Sequence, residues 1–388
     1  MKPSKLWYLA QGSVGVVQWV SVSLLLAPII IQNTGSGGLM GMVIAIIGGF
    51  GISAPFIGKL ADIYALHRSL QKIALLAHLL ALVLLYFSGN GAFLYYVIGG
   101  LIGFGTVTLM LLNPTFVLSS SHNQQQEGKG LARLYQSQFV GVILAALLVA
   151  GLQSLGFTVH TQLLALMSLT GGILVILIVF PPEPVTQMES EQAKVATQAP
   201  TNAPWWLFLL AVFFSMFLSA NLLEMGPVLL EKLFAVQTSS SAIGMAGSAL
   251  LSIVLLEPAG RWIQRSGPFK VWSCALAAYM VVGVALYLMI GHKVQSFLPV
   301  LFMVLLMQAC SWSDMSVPAI AARLSPLTPA LTQGTLMFAI AGGFAAGTMM
   351  AGVSIDQFGF GSVITFSTVS MFVSLIFAGL LAIRLARR

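Results

Sequence analysis

Charge is scarce in this sequence. Of 388 residues, 17 are Lys or Arg and 10 are Asp or Glu, so charged side chains make up 7% of the chain. Soluble domains carry roughly a quarter. A water-facing surface cannot be assembled from so few charges, which excludes a soluble enzyme, a nucleic-acid binder and a disordered chain. Cysteine is nearly absent too: Cys274 and Cys310 both sit in apolar runs, with no metal-ligand spacing and no disulfide framework. There is no Gly-rich loop ending in Gly-Lys-Ser/Thr, so nucleotide hydrolysis is not the expected energy source. What is abundant is apolar sequence, 58% of the chain, together with 38 Gly and 18 Met, a composition suited to close helix packing in lipid.

A membrane-spanning helix takes about 20 apolar residues, and twelve segments qualify. In the first half they are Leu6–Ile31, Leu39–Leu60, Ser69–Phe87, Phe93–Ser119, Leu131–Leu155 and Thr161–Phe180. In the second half they are Trp205–Glu231, Ser240–Ile263, Phe269–Ile290, Ser296–Leu324, Leu331–Ile355 and Gly361–Leu385. Barrel strands would be about 10 residues long and alternate in polarity, so the fold class expected is an all-α membrane protein with twelve transmembrane helices in two six-helix bundles. The first run is too long for a signal-peptide core and is expected to be the first membrane helix. The expected organisation is an N-terminal bundle over 1–180, a cytoplasmic linker over 181–204 and a C-terminal bundle over 205–388. The linker carries Pro181, Pro182, Pro184, Pro200 and Pro204 with Glu183, Glu189, Glu191 and Lys194, a composition that cannot bury apolar surface.

Lys and Arg set the orientation. With the N-terminus inside, 15 basic residues fall on the cytoplasmic side, and two, Lys232 and Lys293, fall outside. Both termini are therefore expected in the cytoplasm, and the formal net charge of +7 is a topology signal that requires no nucleic acid or other anionic partner.

The end of the second segment reads Gly58-Lys59-Leu60-Ala61-Asp62-Ile63-Tyr64-Ala65-Leu66-His67-Arg68, and the end of the eighth reads Gly260-Arg261-Trp262-Ile263-Gln264-Arg265-Ser266-Gly267. The two glycines lie half a chain length apart. Asn113-Pro114 on the fourth segment likewise falls where Asp314 and Pro318 fall on the tenth. With this repeat the sequence resembles the major facilitator superfamily, whose turn after the second helix reads roughly Gly-x-Leu-Ala-Asp-Arg-x-Gly-Arg-Arg. The match lies at Gly58, Leu60, Ala61 and Asp62, with a displaced basic residue at Arg68; Ile63 and Ala65 stand where the family has Arg and Gly. The second copy keeps Arg265 and Gly267 but has Gln264 for the acid. Two patterns of the family's proton-driven drug exporters are missing, an Arg on the fourth helix and a Gly-Pro pair on the fifth. The resemblance implies a secondary transporter working by alternating access, and a latch built from Gly58, Asp62, Arg68, Glu257, Gly260 and Arg265. A solvated loop acid paired with Lys59 or Arg68 is the simpler reading of Asp62.

An ionisable side chain inside the bilayer costs about 2.5–3.5 kcal/mol, so buried acids call for a purpose. By helical rise, Glu224 lies about 9 Å outward of its segment midpoint, Asp314 about 6 Å inward and Glu257 about 8 Å inward. Loss of water disfavours the charged form of a carboxyl group, which makes a cavity acid a natural proton carrier. Glu224 and Asp314, on helices the family places at the cavity, are the coupling candidates. Their simpler readings are a pairing of Glu224 with Lys232 and an interhelical hydrogen bond for Asp314. His78 reads as a satisfied buried histidine. Substrate-contact candidates are Gln18, Trp19, Met110, Asn113, Gln136, Asn221, Gln308 and Ser311, with Gln11, Thr106 and Gln138 sharing the N-half faces.

Three deep acids and no deep base point to a cation or proton as the coupling species. The expected activity is proton-coupled efflux, by antiport, of a small amphipathic or cationic compound. The alternative is an importer or facilitator of a metabolite or siderophore-like metal chelate. No enzymatic activity, metal or cofactor is expected, a proton or cation gradient supplying the energy. The expected partners are the small-molecule substrate and membrane lipid, with the chain a monomer in a bacterial inner membrane.

Overall fold

The computed structural model describes residues 5–119, 124–184, 203–327 and 329–386. Among these all regular structure is helical, with no strand. Twelve helices are long and apolar enough to cross a membrane: Leu6–Thr34, Gly37–Ile63, His67–Tyr86, Ala92–Val117, Gly130–Ser154, Val159–Val179, Ala203–Glu224, Thr238–Ser266, Pro268–Met289, Phe297–Leu324, Thr332–Phe358 and Gly361–Ala386. They are called the first to twelfth spans below. Of the expected linker, residues 185–202 lie outside the described residues.

Eleven spans end within three residues of the apolar runs in the sequence. The seventh differs. Its helix stops at Glu224, Met225 intervenes, and a second helix, Gly226–Phe234, begins with Pro227 in its first turn. Proline has no N–H to offer a preceding carbonyl and fits only a helix start, so Pro227 divides the apolar run.

The chain forms two compact units. One comprises Met1–Gly35, Ser53–Glu191 and Thr238–Leu250; the other comprises Ser36–Ile52, Gln192–Gln237 and Leu251–Arg388. The second and eighth spans, the pair related by the internal repeat, are thus each divided, and each contributes one end to the unit built mainly from the opposite half of the chain.

In the first unit, glycines bring the first and fifth spans into backbone contact. A Cβ on Gly15 would stand 2.2 Å from the Gln138 carbonyl oxygen, and one on Gly141 would stand 2.1 Å from that of Gly12. No side chain fits there, and the small-residue crossing is what membrane helices use in place of a hydrophobic driving force. In the second unit the second and eleventh spans meet the same way. A Cβ on Gly41 would lie 2.4 Å from the Thr348 carbonyl oxygen and 2.6 Å from Gly352 Cα. At the end of this seam Asp356 closes on the start of the second span: Oδ1 accepts from the Gly37 N–H (2.6 Å) and Oδ2 from the Gly38 N–H (2.7 Å). The Ser36 hydroxyl donates to Oδ2 at 3.3 Å while accepting from the Leu39 N–H at 3.1 Å. These are the N–H groups a helix start leaves without partners, and the end of the helix dipole that favours a carboxylate.

Candidate functional site

The first span is not a regular helix. Between two α-helical ends, Gly15–Leu26 is wound as a π-helix, and the Ala27 N–H accordingly bonds five residues back to Val22. Such wide turns cluster at functional sites, and this one carries Gln18, Trp19, Ser21 and Ser23. Trp19 is half-buried and meets Phe139 of the fifth span edge-on, ring centres 5.9 Å apart.

Two hydrogen-bonded chains of buried polar side chains cross this unit. In one, Ser13 Oγ meets His78 Nδ1 at 2.7 Å, His78 Nε2 meets Thr106 Oγ1 at 3.2 Å, and Thr106 donates to Gln18 Oε1 at 3.2 Å. Because Thr106 spends its proton on Gln18, the ring donates from Nε2 and accepts from Ser13 at Nδ1. His78 is satisfied at both nitrogens. Gly105 makes room for the ring, since a Cβ there would lie 2.3 Å from His78 Cδ2. In the other chain, Gln71 donates to Asn113 (2.6 Å), Asn113 to Gln11 (2.8 Å) and Gln11 to Gln138 (2.8 Å).

In the second unit, Ser252, at the midpoint of the eighth span, exchanges hydrogen bonds with Gln308 (3.1 and 3.3 Å) and approaches Ser311 at 3.5 Å. Gln308 and Ser311 flank the midpoint of the tenth span. About 5 Å further along that helix, Asp314 is exposed and makes no hydrogen bond or ion pair to a described residue. Tyr279 and Cys310 beside it are buried. The Trp262 and Trp312 rings meet edge-on, centres 5.6 Å apart. Glu224 is buried at 5% exposure in the last turn before the seventh-span break, while its neighbour Asn221 is fully buried and donates to Ser367 of the twelfth span at 2.9 Å.

The residues singled out in the sequence thus fall into two sets. Trp19, Met110, Gln136 and Ser311 retain accessible surface, whereas Gln18, Asn113, Asn221 and Gln308 are buried and hydrogen-bonded to neighbouring helices. Among the described residues every Lys and Arg within a span lies no more than five residues from its end. Glu257 and Asp314 lie well inside theirs. Glu257 is exposed and approaches Arg261 at 3.9 Å. Glu231 is the acid that meets Lys232, at 3.4 Å.

At the other motif copy, Asp62 is 74% exposed and accepts from His67 at 3.0 Å, and Arg68 is half-buried. Gly58 and Gly260 face Leu111 and Met315 at ordinary contact distances, and Arg265 is exposed. Ala65 adopts φ 51°, the left-handed region that favours glycine. It stands at the position where the resembled motif has Gly, so the turn keeps its shape without its usual residue. Asp356 was not singled out by any sequence pattern, although a carboxylate near a helix end and a Gly-rich helix start are the parts of its contact.

No family model and no curated protein matches the sequence. Solved structures share its fold over nearly the whole chain. The nucleoside transporter NupG superposes with a TM-score of 0.74 at 16% identity, covering 97% of this chain and 98% of that one. A POT family transporter in complex with 5-aminolevulinic acid gives 0.72 at 12% identity, covering 96% and 94%. A bacterial homologue of the lysosomal transporter Spinster, in an inward-facing and occupied conformation, gives 0.69 at 13% identity, covering 97% and 95%. The fold of this chain is that of these transporters, in agreement with the resemblance read from the sequence.

Proposed function

We propose that this chain is a secondary active transporter that exports a small amphipathic or cationic compound in exchange for protons. The observation that carries the proposal is Asp314, an exposed carboxylate about 5 Å from the midpoint of the tenth span with no basic partner among the described residues. Confinement of Lys and Arg to the span ends among the described residues supports a site that attracts cations and protons. The shared fold supports alternating access, in which one site opens to each side of the membrane in turn. Glu224, buried beside a helix break, is the second proton carrier in this scheme. No cofactor takes part; the partners are the substrate and lipid, the working unit is a monomer, and the setting is a bacterial inner membrane with both termini cytoplasmic. Import or facilitated passage of a metabolite is the second reading. It is favoured by the uncharged amides of the first unit, which suit a neutral polar solute.

Ethidium in sealed proteoliposomes free of nucleotide tests the proposal. Preloaded ethidium should accelerate uptake of labelled ethidium by counterflow, and a pH gradient of either sign should set the direction of net movement. Counterflow without any response to the gradient would support a facilitator. Absence of both, with ethidium and with a panel of neutral solutes, would refute transport.

A further inference from the structure

The amide chain of the first unit has a direction. Gln71, Asn113 and Gln11 each donate through nitrogen to the oxygen of the next amide, and Gln138 is the last acceptor. At the buried end Gln71 Oε1 has no partner. Turning all four amides around would place an NH2 group there in its stead, leaving two N–H donors without acceptors. An orphaned carbonyl oxygen is the more readily tolerated of the two, so the observed sense is the favoured one. Hydrogen bonds in series polarise one another, and the polarisation accumulates toward Gln138.

At that end the Gln138 oxygen is occupied by Gln11, while its nitrogen reaches accessible space and bonds to no described residue. The side chain is otherwise 5% exposed. A donor so strengthened and so nearly buried lacks an acceptor. The contact of Gly15 with the Gln138 backbone, too close for any side chain, holds the residue in place. The next residue, Phe139, is buried and meets the half-buried Trp19 edge-on, so an aromatic ring with accessible surface stands near this segment. The nearest charge on this helix is the exposed Arg133, more than a turn away.

We propose that the Gln138 NH2 group is a substrate subsite that takes a neutral acceptor oxygen, a carbonyl attached to an apolar or aromatic body. A carboxylate fits less well, since no cation accompanies the amide. The inference rests on the transporter reading above for its biological meaning, but the subsite is measured separately from transport.

The test uses two matched pairs of probes, 4-acetylbenzylamine with 4-ethylbenzylamine and 4-acetylpyridine with 4-ethylpyridine, binding to the purified full-length protein in nanodiscs. The parent should bind the acetyl member of at least one pair about fivefold tighter, the yield of one net hydrogen bond. Gln138→Glu, assayed at alkaline pH so that the buried carboxyl is ionised, keeps the oxygen that Gln11 needs and removes the donor, so the preference should fall to about onefold or invert. Gln138→Met should also abolish it. If that variant fails to fold because Gln11 loses its acceptor, Gln138→Glu decides alone. A purely structural role would weaken both members of a pair alike and leave their ratio unchanged. Equal binding of both pairs by the parent, or a ratio that survives Gln138→Glu, overturns the subsite. Counterflow of the same probes separates the two ideas: preference without flux removes the transport reading and keeps the subsite, whereas flux without preference does the reverse.

Discussion

Gly41→Val should slow transport about tenfold or more, while Gly49→Val, eight residues along the same helix, should leave most of it. A Cβ on Gly41 would meet the Thr348 oxygen at 2.4 Å and the Gly352 Cα and N at 2.6 and 2.9 Å, all backbone atoms that no rotamer change can move. On Gly49 the nearest atom would be the Ala345 Cβ at 3.7 Å, an ordinary contact. Overpacking of this kind costs about 1–3 kcal/mol. Here the cost falls on one arrangement, the one in which the second and eleventh spans touch and Asp356 bonds the N–H groups of Gly37 and Gly38. A bias of about 1.4 kcal/mol against a state reduces its share about tenfold, so a cycle that must pass through this state slows by that factor or more. Asp356→Ala should act in the same direction but less strongly, since loss of a helix-capping acceptor costs about 1 kcal/mol. The check is initial uptake rate per inserted protein together with thermal unfolding of each variant. Equal rates for Gly41→Val and Gly49→Val at equal expression would show that the seam has no part in the cycle.

Asp314→Asn and Glu224→Gln should each remove gradient-driven accumulation and spare counterflow. A pH difference of one unit stores about 1.4 kcal/mol per proton, enough for about tenfold accumulation at one proton per substrate. An amide imitates the protonated carboxyl but cannot release the proton, so the accumulation ratio should drop to about one. Substrate exchange needs no net proton movement and continues. The two sites differ in setting. Asp314 is exposed and without an ion-pair partner among the described residues, whereas Glu224 is buried in the turn that ends at the Pro227 break. Asp314 should therefore have the larger effect on substrate affinity and Glu224 the larger effect on coupling. If both variants concentrate substrate as the parent does, the coupling lies elsewhere.

The spans were legible because twenty apolar residues in a row have few other uses, whereas the break at Pro227 lies inside a run, Trp205–Glu231, whose apolar character alone does not show it. What spacing could not separate was a cavity wall from a bundle core. Asn113 and Asn221 share faces with other polar residues, as a substrate contact would, yet the structure spends them on Gln11, Gln71 and Ser367. Helical periodicity identifies a polar face but not what the face meets. The Asp356 contact was invisible for a related reason: its partners are backbone N–H groups more than 300 residues away, and backbone leaves no trace in side-chain patterns. The glycines of the second span gave the one readable hint, since a helix carrying Gly37, Gly38, Gly41, Gly48 and Gly49 is suited to close approach. The π-winding of the first span had no signal at all in the sequence.

Proton movement caused by substrate, compared between the parent protein and the Glu224→Gln/Asp314→Asn double variant, decides whether the two carboxylates couple substrate to protons. Proteoliposomes loaded with pyranine, a fluorescent pH indicator, and made without an imposed gradient would receive ethidium from outside. With the parent, ethidium entry should drive protons out, and the lumen should turn alkaline at a rate that follows ethidium uptake. The double variant should show no change in lumenal pH. Ethidium entry into parent vesicles with the lumenal pH constant would contradict proton antiport, and acidification would favour the importing, proton-symporting alternative.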